Sequence, residues 1–559
     1  MTPWWERWPG RLDYELEALR AAGARCQVDE AAKTNGKIVL AVEYPFDGQN
    51  LHLQVHFPDS YPKTRFEALA PHLTLRRHFN PFGKNLCLLG RATRNWDPDL
   101  TVARVLAEQL PKVIKIGTAA DPLRFKDEEE PQGEPITDLY PYATDAAILV
   151  DTAWVLDEEV KEGDLEVALG TTKFPFRGAV LRILGGGRAL GIAEEAIGRL
   201  YADKRRIKGR WVRMSEPILE SDPEAYLRKL ADHFPKLKKK RVTVGKDIPP
   251  DIIGIVFPEE IQQGKYADAW VFLVRPDGPR CRLVRSCRAG QEDLRGRSPE
   301  LRPLAGKRVS VIGLGSLGAA SAIELARAGV GELLIADFDF VEAGTVSRWP
   351  LGLTAAGRKK TSVLRDFISA NYPHTRVTVF SGAIGAAMHS EEYSDLRDLE
   401  KLIDVDLVFD ATTEVGVQQI LSDEARAHEK PYICISATAG AWGGVIARVM
   451  PGKPGCWMCF QHELDTKRIA PAPMKVDGTV QVPGCGSPTF TGAGFDCSEV
   501  ALAGVRLAAG TLCRGVEGGY PDVAWDIAVL EMRTADGAAI APRWTTYGLS
   551  QSGKCRTCR

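Results

Sequence analysis

Two runs near the start of the chain alternate between apolar and polar residues. From Lys37 to Glu43, and again at Leu51, Leu53, Val55 and Phe57, the period is two, as in strands with one buried face. Asp47-Gly48 between the runs is a hairpin turn signal. Asp13 to Ala22 has the pattern of an amphipathic helix. Val102, Val105, Leu106 and Leu110 fall at i, i+3, i+4 and i+8, which predicts another. These elements make a first domain over residues 1–120. FKDEEEPQGEPITD, Phe125 to Asp138, is acidic and Pro-rich and cannot bury a core, so 121–139 reads as a linker. Residues 140–290 form a mixed α/β middle region, with strands expected at Ala147–Val150, Ile252–Phe257 and Ala269–Val274 and a helix at Asp222–Asp232. Gly185 to Gly187 reads as a plain turn, because no Lys-Ser/Thr follows as in a phosphate loop. A polar stretch, AGQEDLRGRSPE, leads into a last domain over 291–559.

Composition narrows the function classes. At 559 residues the chain has room for about three or four domains of the usual ~150 residues. Seventy-two Lys and Arg against 73 Asp and Glu leave no global field to attract nucleic acid or an anionic membrane. The local basic run KLKKKR, Lys236 to Arg241, reads as a solvated face. No stretch approaches the ~20 apolar residues of a membrane helix. MTPWWERWPG lacks an apolar signal core, so a cytoplasmic protein is expected. In that reducing setting the twelve cysteines are expected to be thiols, metal ligands or nucleophiles.

The segment VIGLGSLG, Val311 to Gly318, is a Gly-rich turn between a strand and a helix. Such turns cradle phosphates, because backbone N–H groups approach them and the helix N-terminus favours negative charge. A strand ending in Asp337 and Asp339 follows, then Arg348 and, in GRKK, Lys360. Hydride transfer needs no such cluster of cations; cleavage of a nucleotide triphosphate does. The segment resembles the adenylation domain of ubiquitin-activating enzymes and of the ThiF-type adenylyltransferases that activate sulfur-carrier proteins. The resemblance implies that Gly313, Gly315 and Gly318 form the phosphate turn of a Rossmann-like domain. It implies that Asp337 binds ribose hydroxyls, with Asp339 beside it, and that Arg348 and Lys360 neutralise the ATP phosphates. It further implies Mg²⁺ at Asp410, the end of LVFDATTE. Where that family has an Asp-Asn pair just after this position, the chain has Thr413-Glu414, so Asp410 or Glu414 is the metal candidate. Thr345 stands where the family has Asn.

A second site surrounds Cys87. FPDSYP precedes HFNPFGKNLCLLG, His78 to Gly90, and WDPDLTV follows. Their order resembles the α+β ubiquitin-conjugating fold, with Phe79 in place of the proline of its His-Pro-Asn tripeptide. Cys87 is then the expected nucleophile. A thiolate accepts an acyl group as a thioester, an amine attacks that carbonyl, and the Asn80 amide can stabilise the developing oxyanion. Bracing of the loop by Asn80 is compatible with that role.

CWMC, Cys456 to Cys459, and CRTC, Cys555 to Cys558, form a C-x-x-C…C-x-x-C set suited to tetrahedral structural Zn²⁺. The sulfur-carrier adenylyltransferases carry a matching pair. Between the motifs, Cys485 lies in a Gly/Pro loop, where activating enzymes that transfer onward place a loop cysteine. Cys497 opens the following helix and is expected to be buried. Cys26, Cys281, Cys287, Cys434 and Cys513 read as structural.

A conjugating-like domain followed by an activating domain resembles bacterial fusion enzymes of antiphage operons. These accompany cyclic-oligonucleotide (CD-NTase, CBASS) signalling or bacterial ubiquitin-like proteins. The resemblance implies ATP-dependent activation of a glycine-ending partner, a ubiquitin-like protein or a CD-NTase encoded nearby, by a homodimer. The acyl group would pass from Cys485 to Cys87 to a target amine. Two other readings stand beside it. One is a sulfur-carrier adenylyltransferase, which leaves the first domain without a role. The other is a partner-binding scaffold without turnover, to which Thr345 and Thr413-Glu414 point.

Overall fold

A computed structural model describes residues 2–90, 95–119, 133–151, 153–171, 174–239, 250–275, 280–384, 396–481 and 489–558. The chain divides into two compact units, residues 1–193 with 204–288, and residues 194–203 with 289–559.

The first unit contains, after its first two helices, an antiparallel meander of β1 (Arg25–Val28), β2 (Ile38–Phe46), β3 (Gln49–Phe57) and β4 (Glu67–Leu69). Asp47 and Gly48 both take positive φ, as a tight hairpin with right-twisting strands requires. Helix Val102–Gly117 buries Val102, Val105, Leu106 and Leu110, the spacing seen in the sequence. The earlier helix, Arg11–Ala21, buries Glu15 as well as Leu19. That carboxylate accepts the N–H of Val102 at 2.8 Å and also bonds Arg11 and Tyr61, so one buried acid ties the two helices together.

The middle region is more β-rich than expected. Its strands are β5 (Ala147–Val150), β6 (Glu162–Leu169), β7 (Arg177–Gly185), β8 (Arg188–Ile192), β9 (Arg205–Arg213), β10 (Asp251–Gln262), β11 (Lys265–Arg275) and β12 (Arg282–Arg288). Their order is β5-β12-β11-β10-β9-β6-β7-β8, and β5 also pairs with β7. The sheet therefore closes into a seven-stranded barrel, with β8 continuing the edge of β7. The barrel is filled by Trp211, Trp270, Phe272 and aliphatic side chains, and closure leaves few unpaired edges. Gly186 and Gly187, both at positive φ, make the β7–β8 turn. Helix Pro223–His233 packs on the outside through Tyr226, Leu227 and Leu230. The described part of the basic run is a solvated face, in which Lys236 pairs with Glu162 and Lys238 with Asp232.

The second unit is a doubly wound sheet. Its strands are β13 (Arg308–Ile312), β14 (Glu332–Ala336), β15 (Arg376–Phe380), β16 (Leu407–Asp410), β17 (Tyr432–Ala437), β18 (Gly443–Val449), the short pair β19 (Thr479–Val480) and β20 (Thr489–Phe490), then β21 (Ile527–Arg533) and β22 (Ala539–Tyr547). The main order is β15-β14-β13-β16-β17-β18-β21-β22, parallel from β15 to β17 and antiparallel beyond. Almost every residue of β13, β14 and β16 is buried, because helices cover both faces. The strand order reverses between β13 and β16, and their carboxyl ends open the crevice in which such sheets bind ligands. No helix among the described residues is long and apolar enough to cross a membrane.

Candidate functional site

The glycine turn lies in that crevice. Gly313 has φ +81, and a Cβ there would lie 2.7 Å from the N of Thr412 and 2.8 Å from the carbonyl carbon of Ala411. A Cβ on Gly318 would lie 1.8 Å from the carbonyl oxygen of Gly313. Both glycines are required by close backbone approach. Gly315 is different, since its Cβ would meet nothing within 4 Å. It caps helix Ser316–Arg327, and the open space before it fits a phosphate at the positive helix end.

The first acid of the DFD segment holds the turn, and the second pairs with Lys360. Asp337 accepts the N–H of Leu314 at 2.6 Å through Oδ2 and that of Asp339 at 2.7 Å through Oδ1. Nζ of Lys360 donates to Oδ2 of Asp339 at 2.8 Å and lies 3.8 Å from Oδ2 of Asp337. The structure thus brings Gly313, Asp337, Asp339 and Lys360 into one connected group. Each carboxylate oxygen retains a lone pair for a ribose hydroxyl. Arg348 has other partners here. Its guanidinium donates to the carbonyl of Phe490 and to the Thr489 hydroxyl, and lies 4.5 Å from the centre of the Phe490 ring. The sequence offered no sign of that pairing, 142 positions apart.

Asp410 does not present an open carboxylate. It is fully buried, with Oδ1 accepting from N and Oγ1 of Thr412 at 2.8 and 2.7 Å and Oδ2 from the Tyr432 hydroxyl at 2.8 Å. Burial raises its pKa to about 6, and those three hydrogen bonds oppose the rise. Glu414, four residues on, is exposed at the start of helix Val415–Ala427. Of the two metal candidates, only Glu414 presents its side chain to solvent.

Cys87 is exposed between buried Leu86 and Leu88. Its N–H donates to the carbonyl of His78 at 2.8 Å, and Phe79 pairs with Leu86 in the same small ladder. Asn80 braces the turn between them. Its Oδ1 accepts the N–H groups of Phe82 at 2.9 Å and Gly83 at 3.0 Å, and its backbone N–H donates to Asn85. Trp96 is buried, with Nε1 on the carbonyl of Pro62 at 2.7 Å. Sequence reasoning missed Arg77, Glu134 and Glu260, which also hold this loop. Glu134 stands in the segment read as a linker, and no periodicity marks a partner 56 positions away.

The four cysteines of the paired motifs converge. The Sγ–Sγ separations are 3.8 Å for Cys456–Cys459, 3.6 Å for Cys456–Cys555, 3.4 Å for Cys459–Cys558 and 3.5 Å for Cys555–Cys558. A tetrahedral ion with bonds of about 2.3 Å needs edges of about 3.8 Å, so the set fits zinc with little adjustment. All four are buried, and the N–H of Ser552 donates to Sγ of Cys459 at 3.2 Å, as a thiolate requires. Cys485 lies outside the described residues. Cys497 is fully buried, and that burial raises its thiol to about 11 although Arg348 opposes it.

The crevice is that of an adenylation domain, and the chain carries two recognisable families. Residues 294–500 match the ThiF family, and residues 17–143 match prokaryotic E2 family B. Across its length the chain is 32% identical to y4oA of Sinorhizobium fredii (strain NBRC 101917 / NGR234), covering 99% of this chain and 97% of that protein. It is 33% identical to y4qC of the same organism over 89% of each. The chain belongs to the family of these two proteins and joins a ubiquitin-conjugating-like domain to a ThiF-type adenylation domain. A segment of 162 residues, 29% of this chain, is 30% identical to 26% of the ATP-dependent ubiquitin transferase-like protein Cap2 of Enterobacter hormaechei subsp. hoffmannii (strain UCI 50).

Proposed function

We propose that this protein activates the C-terminal carboxylate of a partner protein and conjugates it to an amine. The carboxylate attacks the α-phosphorus of ATP, giving an acyl-adenylate and pyrophosphate. The Cys485 thiolate displaces AMP to form a thioester. The Cys87 thiolate then takes the acyl group and Cys485 leaves as a thiolate. A lysine amine attacks last, forming an amide and releasing Cys87. Asp337 and Asp339 would orient the ribose, the turn at Gly313, Gly315 and Gly318 the phosphates, and Lys360 and Arg348 their charge. Mg²⁺, held through Glu414, would neutralise the departing pyrophosphate. The paired cysteine motifs would hold one structural zinc.

The observation that carries the reading is the exposed Cys87, set between buried leucines on an Asn80-braced loop, in a chain that also contains a ThiF-family domain. A sulfur-carrier adenylyltransferase has no use for that loop, nor has a scaffold without turnover. The likeness to the ATP-dependent ubiquitin transferase-like protein Cap2 supports a partner of the ubiquitin-like kind; the fusion's resemblance extends the reading to a glycine-ending ubiquitin-like protein or CD-NTase and to a role in antiviral defence. A homodimer in the cytoplasm is the expected form.

The test is a set of non-reducing gels with ATP and the glycine-ending protein of the neighbouring operon. Wild type is expected to show thiol-sensitive adducts and amide products. Cys87→Ala is expected to keep an adduct on Cys485 and form no amide. Cys485→Ala is expected to keep adenylation and lose both adducts. An adduct on Cys87 that survives loss of Cys485 would overturn the relay order.

A further inference from the structure

We infer that Glu134, supplied by the lead-in to the barrel, is a positioning residue for Cys87, so that the barrel completes the conjugating site. The inference rests on Cys87 being the acyl acceptor.

Four contacts carry it, all inside the first unit. The Cys87 N–H is bonded to the His78 carbonyl, so the conformation of His78 sets that of the nucleophile's backbone. His78 has φ +57, a left-handed conformation that is unfavourable for a non-glycine residue. Glu134 holds it there. Its carboxylate accepts the His78 N–H at 2.9 and 2.7 Å, and Nδ1 of the same ring lies 2.9 Å from Oε1. One residue earlier in the loop, Arg77 donates to both oxygens of Glu260, at 2.9 and 2.8 Å, and both side chains are less than a tenth exposed. Two residues beyond Asn80, the Phe82 ring lies 4.9 Å from that of Tyr140 and packs on the outer core of the barrel.

Glu134 is itself fixed to the barrel. A Cβ on neighbouring Gly133 would lie 2.3 Å from the carbonyl of Glu260 and 2.7 Å from the N of Gln262, so this segment lies directly on β10. The Arg77–Glu260 pair and the Glu134–His78 pair therefore grip adjacent loop residues from one strand end. Here the loop's left-handed residue is held by an acid from the segment that leads into the barrel.

Glu134 touches neither acyl group nor amine, so its loss is expected to alter the chemical step and spare binding. Discharge of preloaded Cys87 to free lysine is measured across lysine concentrations, with pyrophosphate exchange and melting temperature as controls. Glu134→Ala is expected to lower the saturating rate roughly tenfold or more, since small misplacements of reacting groups cost that much. The half-saturating lysine concentration and exchange are expected to stay unchanged, while the melting temperature reports any loss of stability common to the fold. Glu134→Gln, which keeps an acceptor for the His78 N–H, is expected to recover most of the rate. Unchanged discharge in Glu134→Ala would overturn the inference, and so would an equal loss in Glu134→Gln. If wild type never loads Cys87, the proposed relay fails by itself. The inference is then decided by iodoacetamide labelling of Cys87, followed by mass spectrometry. A changed labelling rate in Glu134→Ala, restored in Glu134→Gln, supports it, and identical rates in all three proteins overturn it.

Discussion

The hydroxyl of Tyr432 donates to Oδ2 of Asp410 at 2.8 Å, and both side chains are fully buried. A carboxylate enclosed beneath the nucleotide crevice is costly when charged, which is why burial lifts its pKa to about 6. The folded state holds this proton more tightly than the unfolded chain, where an Asp titrates near 3.9.

Stability therefore falls as pH rises. The contribution is fully present below about 4, is lost through about 6, and amounts to roughly 3 kcal/mol. Asp410→Asn removes the titration. Melting curves at pH 4.5 and 7 are expected to show the variant gaining on wild type at the higher pH. A constant difference at the two pH values would contradict the assigned burial effect.

Two glycine substitutions separate folding from nucleotide binding. Gly318→Ala forces a Cβ against the Gly313 carbonyl and is expected to destabilise by about 1–3 kcal/mol. Gly315→Ala meets no protein atom, so its melting temperature is expected to match wild type. Its ATP affinity is expected to fall, because the methyl occupies phosphate space. Melting curves check the stabilities and calorimetric titration with ATP checks the affinity.

Arg348→Ala is expected to reduce pyrophosphate exchange about a hundredfold, as for loss of a charge stabilising a transition state. Because the side chain also holds Thr489 and Phe490, hydrogen exchange at these two residues is expected to quicken. Unchanged exchange of pyrophosphate would remove Arg348 from the site.

Purified protein is expected to contain about one zinc per chain. Cys558→Ser is expected to lose the metal and lower the melting temperature, since the four thiols are the core of this small cluster. Metal analysis beside melting curves, with and without chelator, reads both effects.

Asn80→Ala leaves the N–H groups of Phe82 and Gly83 without their acceptor. It is expected to leave the Cys87 thioester able to form and to slow its discharge to lysine by roughly a hundredfold, as for loss of an oxyanion donor in the slower attack by the amine. Single-turnover discharge of preloaded enzyme distinguishes the two steps.

Local pattern by itself determined a good part of this protein. The hairpin at Asp47-Gly48, the strand Ala147–Val150 and the buried positions of helix Val102–Gly117 were legible because period, turn chemistry and capping act over a few residues. The glycine turn and the two C-x-x-C motifs were legible for the same reason, since each encodes its geometry within a short span. Tertiary structure decided what depends on partners far away in sequence. Closure of the barrel rests on β5 meeting both β7 and β12, which no local signal specifies. Asp410 reads as a ligand at a strand end, yet Tyr432 and the surrounding sheet enclose it. Arg348 reads as a partner of the ATP phosphates, yet β20 supplies acceptors for it as well. Glu134 reads as part of an acidic linker, yet it holds His78 and through it the backbone of Cys87. Burial and charge pairing are properties of what the fold brings within a few ångströms, and the spacing of residues along the chain carries no measure of that distance.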